Sequence, residues 1–417
     1  MNLKRNVMKN KPLISFKKSL QGDFEAVERK GSGHPDTLSD HLAEFLSTSY
    51  SRYCLENFGA ILHHQFDKVG IMGGRVEVKF GQGKMTQPIR LLLNGRISVK
   101  FGDTPIPAKE FLIEHARKFF SERYPMLNFD RDFRIIYEVS SGSSPGAIGE
   151  KGEKSQTARH YWFEPRSIID LPNYRNPKCN DTSLGCSFGK PSPLEKVVLH
   201  LERYLNGKDY KKDKPWMGND IKIMGHRHGN KIHLTLAIPQ ICIYVHSVED
   251  YKRNLEMVRS DIQSFCKKES PGIEFEFNIN TRDKFDPPEL YFTFTGSSIE
   301  TGDEGFVGRG NRMGGLISPC RPYTMEGICG KNPVYHTGKM YSVAAFEIAE
   351  QLHKKLSVGS EVFLIGQSGQ PLINPWKAII QVDEDADENK IIEIYDEVIS
   401  NPEKLTEKIL SQSYIMA

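Results

Sequence analysis

The chain has 417 residues, too long for one ordinary domain and suited to about three. Apolar residues make up 38% and the formal charge is 56 − 53 = +3. That balance excludes a uniformly charged disordered chain and gives no whole-chain case for nucleic acid or an anionic membrane as partner. No apolar run reaches the ~18 residues of a membrane span, and no apolar stretch of the signal-peptide kind follows Met1 to Asn10. Seven scattered Cys form no C-x-x-C pair and read as buried or idle thiols of a cytoplasmic protein. The pairs His63-His64 and His226/His228 lack Cys partners. They read as turn or strand-face residues rather than a transition-metal site.

In chain order, residues 1–20 hold six Lys or Arg and read as a mobile basic arm. Phe24 to Arg29 predicts a strand and Asp36 to Asn57 a helix, with Leu38, Leu42, Phe45, Leu46 and Tyr53 near one face and Gly59 at its stop. Strands are expected over 69–72, 76–80 and 89–99, with a turn at Asn94-Gly95, then a helix over 107–124. Residues 140–178 are polar and rich in Gly and Pro, which suits a domain boundary or an active-site loop. Ser192-Pro193-Leu194-Glu195 has the form of a capping box with Pro at N1, and Gly207 is expected to close that helix. Strands over 221–224 and 231–245 follow, with a turn near Gly229, then a helix over 247–268 and strands at 273–280 and 291–295. A helix over 338–355 and a strand at 362–366 come next. The chain turns acidic at Asp383 and is amphipathic from Ile391 to Leu410, as a docked helix or a frayed tail. No internal repeat is visible. The mixture of helix pairs, hairpins and strand pairs favours an α+β fold over a doubly wound sheet.

Four segments carry polar residues that fit no amphipathic face. Lys30-Gly31-Ser32-Gly33-His34-Pro35-Asp36 leaves a strand and opens a helix; such a loop presents N–H groups and a helix N-terminus to an anion, or is a turn with an Asp cap. Asn180-Asp181-Thr182-Ser183 has the composition of an Asx-turn. In Gly218-Asn219-Asp220-Ile221-Lys222 the acid and the cation alternate onto one side of a strand. Residues 296–339 hold ten Gly, with Asp303, Glu304, Arg309, Arg312, Arg321, Lys331 and Lys339. Glycine lets backbone approach a ligand, and Arg grips phosphate bidentately, so this stretch points to polyphosphate with a divalent metal. There is no P-loop string and no kinase H-R-D or D-F-G string.

Taken together, these strings resemble the archaeal-type S-adenosylmethionine synthetase (methionine adenosyltransferase) family, from about Val27 to Gln381. The match includes Val27 to Asp36, Leu62-His63-His64-Gln65-Phe66-Asp67-Lys68-Val69, Gly73-Gly74-Arg75 and Asn180 to Ser183. It continues through Asp220-Ile221-Lys222, Gly302 to Arg312 and Gly330 to Lys339. The resemblance implies three similar α+β units about a pseudo-threefold axis. It assigns 21–145 to the first, 146–273 to the second and 274–382 to the third, with 383–417 as a tail. It also implies transfer of the adenosyl group of ATP to the sulfur of L-methionine, Mg2+ (two ions) and often K+, and active sites between the subunits of a cytoplasmic homodimer. Residue by residue, it places His34 at the bridging oxygen on C5′ and Asp36 and Asp303 on Mg2+. Arg309, Lys331 and Lys222 go to the triphosphate, Asp220 to the nucleoside and Asp181 to the methionine ammonium. Arg312 and Lys339, in matching strings, are also assigned to ATP and its triphosphate, and His336 lies in a matching string without an assigned role. Gln65 and Tyr335 each stand where that family pattern has Asn, on the methionine side. They keep open a relative that uses ATP with a methionine analogue or another thioether. A non-catalytic nucleotide-binding subunit is the reading from another class; the retention of His34, Asp36 and the cations speaks against it.

Overall fold

The structure is a computed structural model, and it describes residues 10–142, 161–171 and 176–417, apart from 18, 19, 21, 384 and 385. Much of the 140–178 stretch therefore lies outside the described residues, as do residues 1–9 of the basic arm and two acids of the tail.

The chain enters through two strands, β1 (Leu13–Phe16) and β2 (Phe24–Lys30). It then runs α1 (Pro35–Phe58), β3 (Gly70–Met72), β4 (Ile89–Ile97), α2 (Ala108–Arg123) and β5 (Phe133–Ser140). A strand β6 (Leu184–Gly189) precedes α3 (Pro193–Leu205), β7 (Lys222–His228), β8 (Lys231–Ala237), α4 (Val248–Glu269) and β9 (Glu274–Ile279). A short β10 (Gly305–Phe306) precedes α5 (Thr337–Leu356), β11 (Ser360–Ile365), β12 (Lys377–Val382), α6 (Glu388–Ile399) and α7 (Pro402–Leu410).

One topology occurs three times. In each unit a helix leads into an antiparallel pair: β3 with β4, β7 with β8, and β11 with β12. A second helix then crosses over to a strand parallel to the second member, as β5 lies beside β4 and β9 beside β8. In the third unit that parallel place beside β12 is taken by β1, from the other end of the chain. The fourth place, antiparallel to the first member, is filled by exchange. The strand before α1 (β2) joins β7, the strand before α3 (β6) joins β11, and the strand before α5 (β10) joins β3. Each unit thus hands its leading strand to the next in a closed cycle. The α+β class with three similar units is as expected, and the repeat exists in topology although the sequence does not display it. The sheets do not follow contiguous stretches of chain.

Each unit buries its own core: Leu38, Leu42, Phe119 and Phe120 in the first, Val198, Leu234 and Ile262 in the second, Ala345, Ile348 and Ile380 in the third. Local signals explain several boundaries. His34 caps α1, and Gly59 ends it in the left-handed region (φ 68°). The capping box of Ser192 and Glu195 is present on α3. Four expectations are corrected. Gly207 does not terminate α3, which ends at Asn206; Gly207 has φ −65° and begins a short helical turn, Lys208–Lys211. Asn94-Gly95 is not a turn but lies within β4, where a Cβ on Gly95 would meet the Gln65 carbonyl oxygen at 2.0 Å. The described part of the basic arm is not mobile: Leu13–Phe16 is a sheet strand and the Asn10 amide binds the Asn374 side chain at 2.8 Å. The amphipathic tail is docked, with Ile391, Tyr395, Leu405 and Ile409 in the third core.

Candidate active site

The loop after β2 opens α1, and the long glycine-rich segment that holds β10 lies along that helix. This helix carries acids at i, i+4 and i+8: Asp36, Asp40 and Glu44. Each accepts a backbone N–H from the glycine-rich segment. Asp36 Oδ1 takes Phe306 N at 3.1 Å, Asp40 Oδ1 takes Gly308 N at 2.8 Å and Glu44 Oε2 takes Gly330 N at 3.0 Å. The stripe pins that segment along about 12 Å of helix, from the 1.5 Å rise per residue. Sequence reading missed Asp40 and Glu44, although their spacing was a legible signal.

At the N-terminal end of α1 the structure gathers His34, Asp36, Asp220, Lys222 and Asp303. Gly31 N binds Ile221 O at 2.8 Å and Gly33 N binds Asn219 O at 2.9 Å. A Cβ on Gly33 would lie 2.6 Å from the backbone carbon of Asn219. These glycines serve close packing against the Asp220 loop. Their N–H groups are not offered to an anion, which corrects that expectation. His34 Nδ1 accepts from Asp36 N at 3.2 Å. Burial holds the imidazole below its ordinary value, opposed by Asp220, so the neutral ring carries its proton on Nε2 and can donate from there. Lys30 Nζ contacts Asp36 Oδ2 at 2.7 Å and the Arg309 carbonyl at 2.8 Å. Ser298 links two acids, with its Oγ 2.5 Å from Asp220 Oδ2 and 3.3 Å from Asp303 Oδ2. Lys222 pairs with Glu28 at 3.0 Å. Arg309 is exposed, and among the described residues its guanidinium has no ion-pair partner. Asn311 holds Lys30 N and O through its amide, fixing the Arg309–Arg312 turn to β2.

Lower on α1, Arg312 bonds the Gly308 carbonyl at 2.8 Å and faces Asp40. Asp40 is buried; its Oδ2 has no partner among the described residues, and burial pushes its carboxyl up to about 7. Lys339 is fully buried, with Glu44 Oε1 and Oε2 both at 2.7 Å and Lys331 O at 3.0 Å. Its three N–H donors are used, so in this structure Lys339 frames the loop and has no donor left over for a phosphate. Lys331 is buried against Glu326, with Asp67 at 3.8 Å. Asp181 sits at the start of α5, where Asn180 Oδ1 accepts Thr337 N at 2.9 Å. With His336 and Gln65, Asp181 lines a cavity of about 460 Å³. His63 and His64 are structural: His64 bonds Ser47 at 2.8 Å, and His63 stacks on Tyr335 at 4.9 Å.

Three carboxylates at a site for a polyanion make chemical sense when a divalent cation accompanies the anion. Asp303 is exposed, and Asp36 gives one oxygen to Lys30 Nζ, which such an ion would displace. This sparse carboxylate set fits Mg2+, which keeps phosphate and water oxygens for its other positions. Among the described residues no group of three or more His, Cys, Asp or Glu side chains is drawn together as a metal site.

Comparison with known proteins follows the same line. A model of the S-adenosylmethionine synthetase (AdoMet synthetase) family matches residues 12–150 and 164–413. The S-adenosylmethionine synthase of Saccharolobus solfataricus is 37% identical over 398 residues, covering 93% of this chain and 94% of that one. The synthase of Caldivirga maquilingensis is 38% identical over 365 residues, covering 86% and 85%. Among solved structures, an unusual S-adenosylmethionine synthetase from Campylobacter jejuni shares the fold with a TM-score of 0.55 at 13% identity, covering 92% of this chain and 88% of that one. The chain belongs to the S-adenosylmethionine synthetase family.

Proposed function

We propose that the chain transfers the adenosyl group of ATP to the sulfur of L-methionine by in-line attack on C5′. The triphosphate leaves and is then hydrolysed to diphosphate and phosphate. A thioether sulfur carries no proton, so the step needs no general base. It needs alignment and stabilisation of the leaving charge. The observation that carries the reading is the state of His34. Its cap bond spends Nδ1, which leaves a neutral Nε2–H among the charges of Asp220, Lys30, Asp36 and Lys222. There it donates to the bridging oxygen as that oxygen gains charge. Lys222 and Arg309 neutralise the triphosphate, and Lys331 joins them once Glu326 is displaced. Asp220 faces the nucleoside, with its Oδ2 held by Ser298. Mg2+ on Asp36 and Asp303 supplies further charge neutralisation when bound; K+ is the other expected ion.

Asp181 takes the methionine ammonium. A homodimer with sites between its subunits is proposed on the family resemblance alone. Among the described residues no helix is long and apolar enough to cross a membrane. A cytoplasmic location is proposed on the family resemblance. The second reading, a methionine analogue or other thioether as acceptor, is favoured by Gln65 and Tyr335. Gln65 contacts His336, and Tyr335 bonds His63, beside the Asp181 cavity. Purified chain with ATP, Mg2+ and methionine should form S-adenosylmethionine with equimolar diphosphate and phosphate. Product from an analogue but not from methionine would establish the second reading.

A further inference from the structure

Lys331 is buried, and the acid that pairs with it, Glu326, comes from a surface strap, residues 319–327. The Glu326 carboxylate stands where a phosphate group would be held. It takes the Lys331 ammonium and, on Oε2, the Ser183 hydroxyl at 3.1 Å. It lies on the first turn of α5, where a Cβ on Gly338 would be 2.4 Å from the carboxyl carbon. The His336 cap of that helix makes no side-chain hydrogen bond, and the helix dipole favours a negative group there. The strap is fixed at both ends and bare between them. Arg321 forks onto buried Glu195 at 3.1 and 3.0 Å, and a Cβ on Gly327 would lie 2.8 Å from Gly308 Cα. Between these anchors Met325 is 77% exposed. Under the strap is a cavity of about 30 Å³ that Glu326 lines together with Arg312 and Ser318. Arg312 Nε and Ser318 Oγ are buried and have no partner among the described residues. A buried donor without an acceptor is unfavourable, so the cavity offers a carboxylate a second place.

Resting on the assignment of Lys331 to the triphosphate, and deepening it, we propose that Glu326 is an internal competitor for that anion. Without nucleotide, its carboxylate neutralises Lys331 and holds the place of a phosphate group. Bound triphosphate takes over Lys331 and Ser183, and Glu326 turns into the cavity toward Arg312 Nε–H. Neither Lys331 nor Glu326 is then left as a buried charge without a partner. The exchange makes binding depend on anchoring elsewhere. An anion already held by Lys222 and Arg309 meets Lys331 at a high effective concentration and displaces Glu326.

The test is calorimetric binding of imidotriphosphate, a triphosphate that resists hydrolysis, with Mg2+ present. Glu326→Gln removes the competing charge and keeps the side chain's size. It should bind roughly 10- to 100-fold more tightly than the wild type, and Glu326→Ala should show the same gain. Lys331→Met should bind more weakly than the wild type. In that background Glu326→Gln should gain less than about threefold, because the two residues act through one contact. A Glu326 that merely supports the strap would give weaker binding when replaced; that result, or equal binding by wild type and variants, overturns the proposal. If Lys331→Met binds as tightly as the wild type, the assignment of Lys331 to the triphosphate fails, and the competitor with it. Equal binding by the Glu326 variants beside a loss in Lys331→Met refutes the competitor alone.

Discussion

The two ends of the acidic stripe on α1 use the same kinds of residue for different ends. At the upper end, Asp36 and its neighbours Lys30, Lys222 and Arg309 are half-buried or exposed, and their bonds leave capacity over. At the lower end, Glu44 and Lys339 are closed on each other, with every ammonium donor satisfied. A cation in a glycine-rich phosphate-like loop is therefore not by that fact a ligand. Its remaining hydrogen-bond capacity decides the matter. The lower end holds the segment in place so that the upper end can present Arg309 and Asp303.

That contrast can be broken from either side. The largest expected effect is at the lower end. Lys339→Met leaves the part-buried Glu44 carboxylate without its ammonium partner, at a cost of roughly 3 kcal/mol, the low end for breaking a buried pair. Chemical denaturation should show that loss, and the double variant with Glu44→Gln should recover much of it. If Lys339→Met keeps wild-type stability but weakens ATP binding, the frame assignment is wrong. At the upper end, Lys222→Ala removes a charged contact to the leaving group. Turnover should fall roughly 10- to 100-fold with little change in unfolding free energy. Steady-state kinetics beside a urea titration separates the two.

The pH-dependent effect lies between the ends, at Asp40. Its folded carboxyl sits at about 7, against about 3.9 for an unperturbed Asp. Between those values the folded chain keeps a proton that the unfolded chain has lost. Stability therefore falls as pH rises from about 4 to about 7 and levels off above, by at most about 1.4 kcal/mol per pH unit for this group. Asp40→Asn should remove that contribution, so the variant gains on the wild type as pH rises through the window. Parallel urea curves at several pH values would show it; a constant gap between the two proteins would count against the buried neutral carboxyl. Glu300, also raised to about 7 by burial, is common to both and cancels.

How much could be read beforehand follows from where each signal resides. The Ser192 capping box and Gly59 were legible because caps are local chemistry. The strand β6, with the sequence LGCSFG, was not recognised. It lacks β-branched residues because α5 lies directly on it, and a Cβ on Gly185 would be 2.2 Å from the Tyr341 backbone. The threefold repeat was hidden because every unit borrows its outer strand from a distant stretch. In the site, His34, Asp36, Asp220, Lys222 and Asp303 were named from short strings and do converge. Ser298, which links Asp220 to Asp303, lies in no chemical motif. For Lys339 the sequence shows a charge but not that its donors are spent on Glu44 and the Lys331 carbonyl.

The account stands most directly on His34 as a neutral donor to the departing triphosphate. Single-turnover formation of S-adenosylmethionine at saturating ATP and methionine isolates that step. For His34→Ala the account predicts a fall of about 10²–10³-fold in the rate, with the ATP dissociation constant changed by less than about threefold. An unchanged single-turnover rate, or a loss that appears only in ATP affinity, would contradict it.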